Sequence, residues 1–229
     1  MNFEPDGTGL LERSTRVVLR PLGNPLPLGF LALAGGSFVV AALQLGWLDA
    51  NEGADVALVL LAFVVPAQLI AAVLGYLARD AVAGTGMGIL AGTWLTVGLI
   101  LFRSPPGATS DALGLLLLVA AVSMCVPASG AAMGKVVPAA VLFTTAIRFA
   151  TTGVYELTES SWWKGAAGVV GVVLAGLAIY AALAMLLEDV RRAGVLPVLR
   201  RGAGKTSITG NLADQLRTVE REAGVREQL

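Results

Sequence analysis

From Leu26 onward, long apolar runs alternate with short polar breaks. The runs cover approximately Leu26–Leu48, Val56–Ala78, Ala83–Phe102, Leu113–Met133, Val136–Val154 and Gly165–Leu187. Each is long enough, as a helix, to cross a hydrocarbon core of about 30 Å. The breaks carry charges or turn residues: Asp49–Asp55, Arg79-Asp80, Arg103–Asp111 with Pro105-Pro106, Gly134-Lys135, and Glu156–Lys164. Those at Arg79-Asp80 and Gly134-Lys135 are so short that they predict tight helical hairpins. The expected fold is all-α, a polytopic bundle of six transmembrane helices. An N-terminal segment (1–23) precedes the membrane domain (24–190), and a hydrophilic tail (191–229) follows it.

Lys and Arg are distributed unevenly about these spans. Arg13, Arg16, Arg20, Arg79, Lys135, Arg191, Arg192, Arg200, Arg201 and Lys205 fall on one side of a six-span count, and only Arg103 and Lys164 on the other. The second side also holds Asp49, Glu52, Asp55, Asp111, Glu156 and Glu159. By the positive-inside bias both termini are expected to be cytoplasmic, in an inner-membrane protein. The residues before the first run are polar and charged, without a small-residue cleavage site, and read as a cytoplasmic leader rather than a signal peptide.

Composition narrows the chemistry. The chain has 229 residues, 56% hydrophobic and 14% charged, against about 25% charged in soluble proteins. Its mean hydropathy is +0.77. There is one cysteine, Cys125, and no histidine. This removes disulfide frameworks, Cys or His metal sites and the commonest proton carrier. Every Asp and Glu lies at or beyond a span end, so a side-chain proton relay is hard to build. Neither an enzyme nor a cofactor is expected, and nothing in the pattern points to nucleic acid. In the tail, Gly204-Lys205-Thr206 resembles the end of a phosphate-binding loop. The glycine that motif needs is replaced by Leu199, and no strand precedes it. Farther on, Ile208, Leu212, Leu216, Val219 and Ala223 recur at helical spacing. They read either as an amphipathic helix on the membrane or a neighbouring subunit, or as a weakly ordered tail.

The first span opens Asn24-Pro25-Leu26-Pro27-Leu28-Gly29-Phe30. Asn24 is a good N-cap, Pro25 suits the first helical position and Pro27 still lies in the first turn. Unpaired N–H groups at such a helix start favour anions, so the motif fits the mouth of a small-anion pathway as well as a well-made helix start. Among polar residues within spans, Gln68 carries four hydrogen-bonding positions near mid-depth. It either bridges two helices or touches solute in a pore. Arg148 is the charge placed clearly inside a span. It either snorkels to the surface or faces the interior as a fixed positive charge that attracts a carboxylate. Gly88–Gly92 and Gly130–Gly134 are small-xxx-small patterns for close packing within the bundle or against another subunit.

The opening motif closely resembles the signature that begins the first helix in the acetate uptake transporter family, the succinate–acetate permeases. Ala67-Gln68 with Tyr76 eight residues on, Trp94-Leu95-Thr96, and the segment Ala178-Ile179-Tyr180 through Val195-Leu196-Pro197 are similar to later family motifs, in the same order. The resemblance spans roughly Asn24–Val198. It implies six helices around a narrow pathway in each subunit, a hexameric ring, and passage of acetate, in some members succinate, often proton-linked. It also implies a constriction of three side chains, two of them aromatic. The first falls here on Leu33 and the second on Leu90, both aliphatic. The third falls in the region Phe143–Thr145, where no motif fixes the register. The acidic residue that family members carry before the tyrosine of the second span is Gly75 here. These departures point to a differently shaped gate, with Arg148 as a compensating charge. The expected pathway residues are Asn24, Pro25, Pro27, Gln68, Trp94 and Arg148, with Leu33 and Leu90 as a dry gate. The expected partners are a small carboxylate, the lipid bilayer and further copies of the chain. Two other readings stay open: a channel for a neutral solute such as ammonia or carbon dioxide, and a non-transporting membrane protein acting through its tail.

Overall fold

The computed structural model describes residues 22–191 and 194–201. The tail positions from Ile208 to Ala223 lie outside them, as does most of the N-terminal segment. Among the described residues six helices are long and apolar enough to cross a membrane. They are α1 (Leu26–Gln44), α2 (Ala50–Leu77), α3 (Ala81–Arg103), α4 (Asp111–Ala132), α5 (Val136–Thr158) and α6 (Ser161–Arg191). The chain is a multi-pass membrane protein.

Local chemistry sets the ends. The helical hydrogen bonding of α1 stops at Gln44, short of the apolar run, because Gly46 turns left-handed (φ 74°). The N–H groups of Trp47 and Leu48 then both return to the Ala42 carbonyl. Helix α2 starts with a 3₁₀ turn, Ala50–Glu52, whose preceding residue Asp49 accepts from the Asn51 N–H. It widens to a π turn at Leu60–Val64, immediately ahead of Pro66. Proline has no N–H to continue the regular ladder, and the wide turn absorbs the mismatch. The Arg79-Asp80 break is a tight hairpin as expected, with Arg79 left-handed (φ 59°) and Asp80 Oδ1 accepting from the Ala83 N–H at 2.9 Å.

Packing runs α1–α2–α3–α4–α5–α6, and α6 closes back on α1. The helices therefore form a ring around one axis. Leu95, Leu99, Val119, Val122, Val126 and Val173 point outward from it, as lipid-facing positions do. The tightest crossings are not at the small-xxx-small patterns. A Cβ at Gly75 would lie 2.7 Å from the Gly84 backbone nitrogen, and one at Gly153 would lie 2.9 Å from the Gly114 carbonyl oxygen. A Cβ at Gly92 would meet nothing within 4 Å.

At the end of the ring that carries Asn24, the segment after α6 forms a strap. Val136 and Val137 donate N–H groups to the Leu199 and Val198 carbonyls, and Arg201 donates to Gly134. The Tyr180 hydroxyl donates to the Pro197 carbonyl at 3.0 Å, and Arg200 pairs with Glu188 at 2.6 Å. The strap thus ties α6 to the α4–α5 turn.

Candidate functional site

Two cavities enter the ring from opposite ends. The smaller, about 170 Å³, lies at the Asn24 end and is lined by Leu26, Phe30, Met87, Lys135 and Leu142 among others. The larger, about 470 Å³, opens at the far end and is lined by Gln44, Trp94, Leu117, Arg148, Phe149 and Lys164 among others. Side chains one turn apart on a helix share a face, so the register between the cavities can be read helix by helix. Leu33 follows Phe30 by three residues and precedes the larger cavity's Val40 by seven. Leu90 lies three after Met87 and four before Trp94; Thr145 lies three after Leu142 and four before Phe149. At 1.5 Å per residue, the layer between the cavities is about 10–15 Å thick.

Leu33, Leu90 and Thr145 are fully buried in that layer. The third position, left open over Phe143–Thr145, narrows on burial to Thr145, because Phe143 is 40% exposed and turned away from the ring. Thr145 presents little polarity, since its hydroxyl donates to its own helix at the Val141 carbonyl, 2.8 Å away. Leu33, Leu90 and the internally satisfied Thr145 thus form an apolar layer at this depth.

Gln68 belongs to this depth. On α2, Val64 faces Gly36 of α1 and Ala71 faces Gly29, with would-be Cβ contacts of 3.0 and 3.2 Å. Gln68, one turn beyond Val64 and 0% exposed, therefore faces the ring near Ala32 and Leu33. Neither its Oε1 nor its Nε2 has a hydrogen-bond partner among the described residues. It lines neither of the two cavities. The expectation of a bridging glutamine does not fit an amide whose two ends are both unpaired.

Trp94 forms the floor of the larger cavity. It is buried, packs edge-on against Phe149 with ring centroids 6.1 Å apart, and its Nε1 is unpartnered. Arg148 does not snorkel: it is 1% exposed and lies on the wall of the same cavity. Its guanidinium Nη1 donates to Gln44 Oε1 and to the Ala167 carbonyl, joining α5 to α1 and α6.

At the other end, Asn24 Oδ1 accepts from the Leu26 N–H at 3.1 Å, and Pro25, already helical (φ −79°, ψ −15°), accepts from Gly29. This corrects one detail of the anion-mouth expectation. Pro25 and Pro27 carry no N–H and Asn24 occupies that of Leu26, so the first turn offers fewer free donors than its position implies. Lys135 lines the smaller cavity at this end. Burial, then the nearby Arg200 guanidinium, holds its ammonium below the usual lysine value.

Sequence reasoning named Leu33, Leu90, Trp94 and Arg148 but missed Phe30, Met87 and Leu142 on the inner wall and Phe149 beneath Trp94. Their signal was a shared helical face with the leucines, visible only once the register was known.

Six apolar helices closed in a ring, with a cavity at each end and a dry layer between, have the architecture of a membrane channel or transporter. A family model matches residues 8–200, and the chain belongs to the GPR1/FUN34/yaaH family, the acetate uptake transporters. That family is one of transporters and channels, not enzymes. The fold is similar to that of a solved structure of the bacterial acetate channel SatP. The match is 24% identical in sequence, has a TM-score of 0.69, and covers 77% of this chain and 99% of that one. No curated protein sequence matches the chain.

Proposed function

We propose that the chain carries a small monocarboxylate, acetate first, through the axis of each subunit between the two cavities. One observation carries this reading: the Leu33/Leu90/Thr145 layer separates two cavities and has unpaired polar atoms of Gln68 and Trp94 beside it. A dry layer rejects a hydrated ion, while unpaired donors at its edges offset the cost of stripping water from a carboxylate. Among the described residues no ionisable side chain lies between the cavities. Proton linkage is then best supplied by the acid form of the solute carrying its own proton. Orientation follows from the charge bias: the Asn24 end with Arg79, Lys135, Arg191, Arg200 and Arg201 is cytoplasmic, and the Arg148 cavity opens outward. Assembly as a homo-oligomer, a hexamer by family resemblance, fits an outward-facing Gly92.

The test is labelled acetate uptake into proteoliposomes with and without an imposed pH gradient. Uptake above empty liposomes is expected, faster with the acid side outside. Uptake indifferent to the gradient would leave an anion channel without proton linkage. No uptake by folded protein would remove the acetate reading. The aliphatic gate also suits ammonia. Competition by ammonia would support that solute, but the buried cation Arg148 disfavours any passage as ammonium.

A further inference from the structure

Arg148 raises a question that a pathway for solute does not by itself answer. A buried charge is retained only when paired or hydrogen-bonded, because its desolvation costs several kcal/mol. Among the described residues no carboxylate lies within ion-pair distance of this guanidinium; the Glu188–Arg200 pair lies at the opposite end of the ring. Its two acceptors, Gln44 Oε1 and the Ala167 carbonyl, are neutral, and both are taken by Nη1. A guanidinium has five N–H groups, and those on Nε and Nη2 find no acceptor among the described residues. The fold nevertheless keeps room for the group. A Cβ at Gly171 of α6 would stand 2.9 Å from its Cζ and 3.0 Å from Nε.

The surroundings favour an anion at this depth. Asp49 and Glu156 also line the cavity, but both are engaged elsewhere. Asp49 Oδ1 accepts from the Asn51 backbone and side chain, and Glu156 Oε2 accepts from the Ser110 N–H at 2.8 Å. Glu156 is also eight residues, about 12 Å of helix, nearer the rim than Arg148. Deeper in the same cavity the buried, unpartnered Nε1 of Trp94 supplies a second donor.

We propose that the larger cavity is a built binding site for a small monocarboxylate anion, held by Arg148 and handed toward the gate by Trp94 Nε1. Gln44 positions the guanidinium and Gly171 makes room for it. The proposal rests on the carboxylate-pathway reading for its ligand class. A planar carboxylate matches the fork of N–H groups that the protein leaves unused, which a neutral solute or ammonium does not. The site is then a loading station: it selects by charge before the dry layer selects by size.

The test uses the full chain, both in detergent and in proteoliposomes. At fixed ionic strength, sodium acetate is expected to raise the thermal midpoint of the wild type and its uncharged analogue acetamide is not. Arg148→Gln is expected to abolish that rise and to increase the acetate concentration for half-maximal uptake at least tenfold. Arg148→Lys, which keeps the charge without the fork, is expected to fall between. Trp94→Phe keeps the ring and removes one donor, and is expected to raise the half-saturating concentration a few-fold. Wild-type stabilisation and wild-type half-saturation in Arg148→Gln would overturn the site. If that variant does not fold, wild-type values in both Arg148→Lys and Trp94→Phe would overturn it instead. Stabilisation by acetate without uptake would sink the transport reading and leave the site standing; uptake unaffected by Arg148 does the reverse.

Discussion

Gln68→Met separates a structural from a functional role at the gate. The substitution keeps the length and flexibility of the side chain and removes the amide. Both amide atoms are buried without partners, and each buried unsatisfied group costs about 1–3 kcal/mol. Replacing them by an apolar chain of similar shape should therefore stabilise the fold, by about 2 kcal/mol when both are counted at the low end. For a chain of this size that corresponds to a rise of about 4–8 °C in thermal midpoint. Flux should move the other way. A hydrogen bond to a charged group contributes about 1.5–3 kcal/mol. Losing one where the solute is driest should slow uptake about tenfold or more.

The assay is paired: thermal midpoint of the purified variant in detergent, and initial acetate uptake at equal reconstituted protein. A more stable and slower protein is the expected result, the trade-off typical of a site that keeps polarity for function. A lower midpoint with unchanged uptake would refute the reasoning, because it would mean that Gln68 bridges helices through partners and has no contact with solute.

Two further substitutions probe the ring. Leu90→Ala should lose about 2–5 kcal/mol of stability yet raise the butyrate-to-acetate uptake ratio several-fold, and an unchanged ratio would place the constriction elsewhere. Gly75→Ala should cost about 3 kcal/mol, the upper end for overpacking, since the contact is the Gly84 backbone and cannot rotate away. Gly92→Ala, which meets nothing within 4 Å, is its control and should change the midpoint by less than about 0.5 kcal/mol. Equal effects at the two glycines would show that the α2–α3 crossing is looser than described.

The spans were legible because a bilayer demands a length and a polarity that leave few alternatives. Ends were legible where one residue decides locally, as at Asn24 or Asp80. They slipped where two signals competed. The apolar run continues through Trp47 and Leu48, yet Gly46 ends the hydrogen bonding of α1 before them. Glycine crossings were misplaced for a related reason. A small-xxx-small pattern shows that one helix has a smooth face but not which helix meets it. Gly75 and Gly84 form a close approach across two helices, one turn before the Gly88–Gly92 pattern that α3 carries. The same contact accounts for the absent acid of the second span. With the Gly84 backbone 2.7 Å from any Cβ at position 75, a glutamate there would force the two helices apart.

The site was legible by residue type but not by pairing. Arg148 read as a charge inside a span, and nothing in the 104 residues that separate it from Gln44 indicates that the glutamine accepts from it. What the fold adds is depth. It places the fixed positive charge in an end cavity and the unpaired amide of Gln68 beside the leucines, so charge and dryness act at different stations along one axis. That separation has a physical rationale. A guanidinium within the 10–15 Å dry layer would hold a carboxylate too tightly to let it leave, and a conducting path needs sites that bind weakly enough to release. On the proposed pathway a cation at the entrance concentrates the anion, and neutral donors at the constriction stabilise it only in passing. Moving the charge inward should therefore slow release even as it tightens binding.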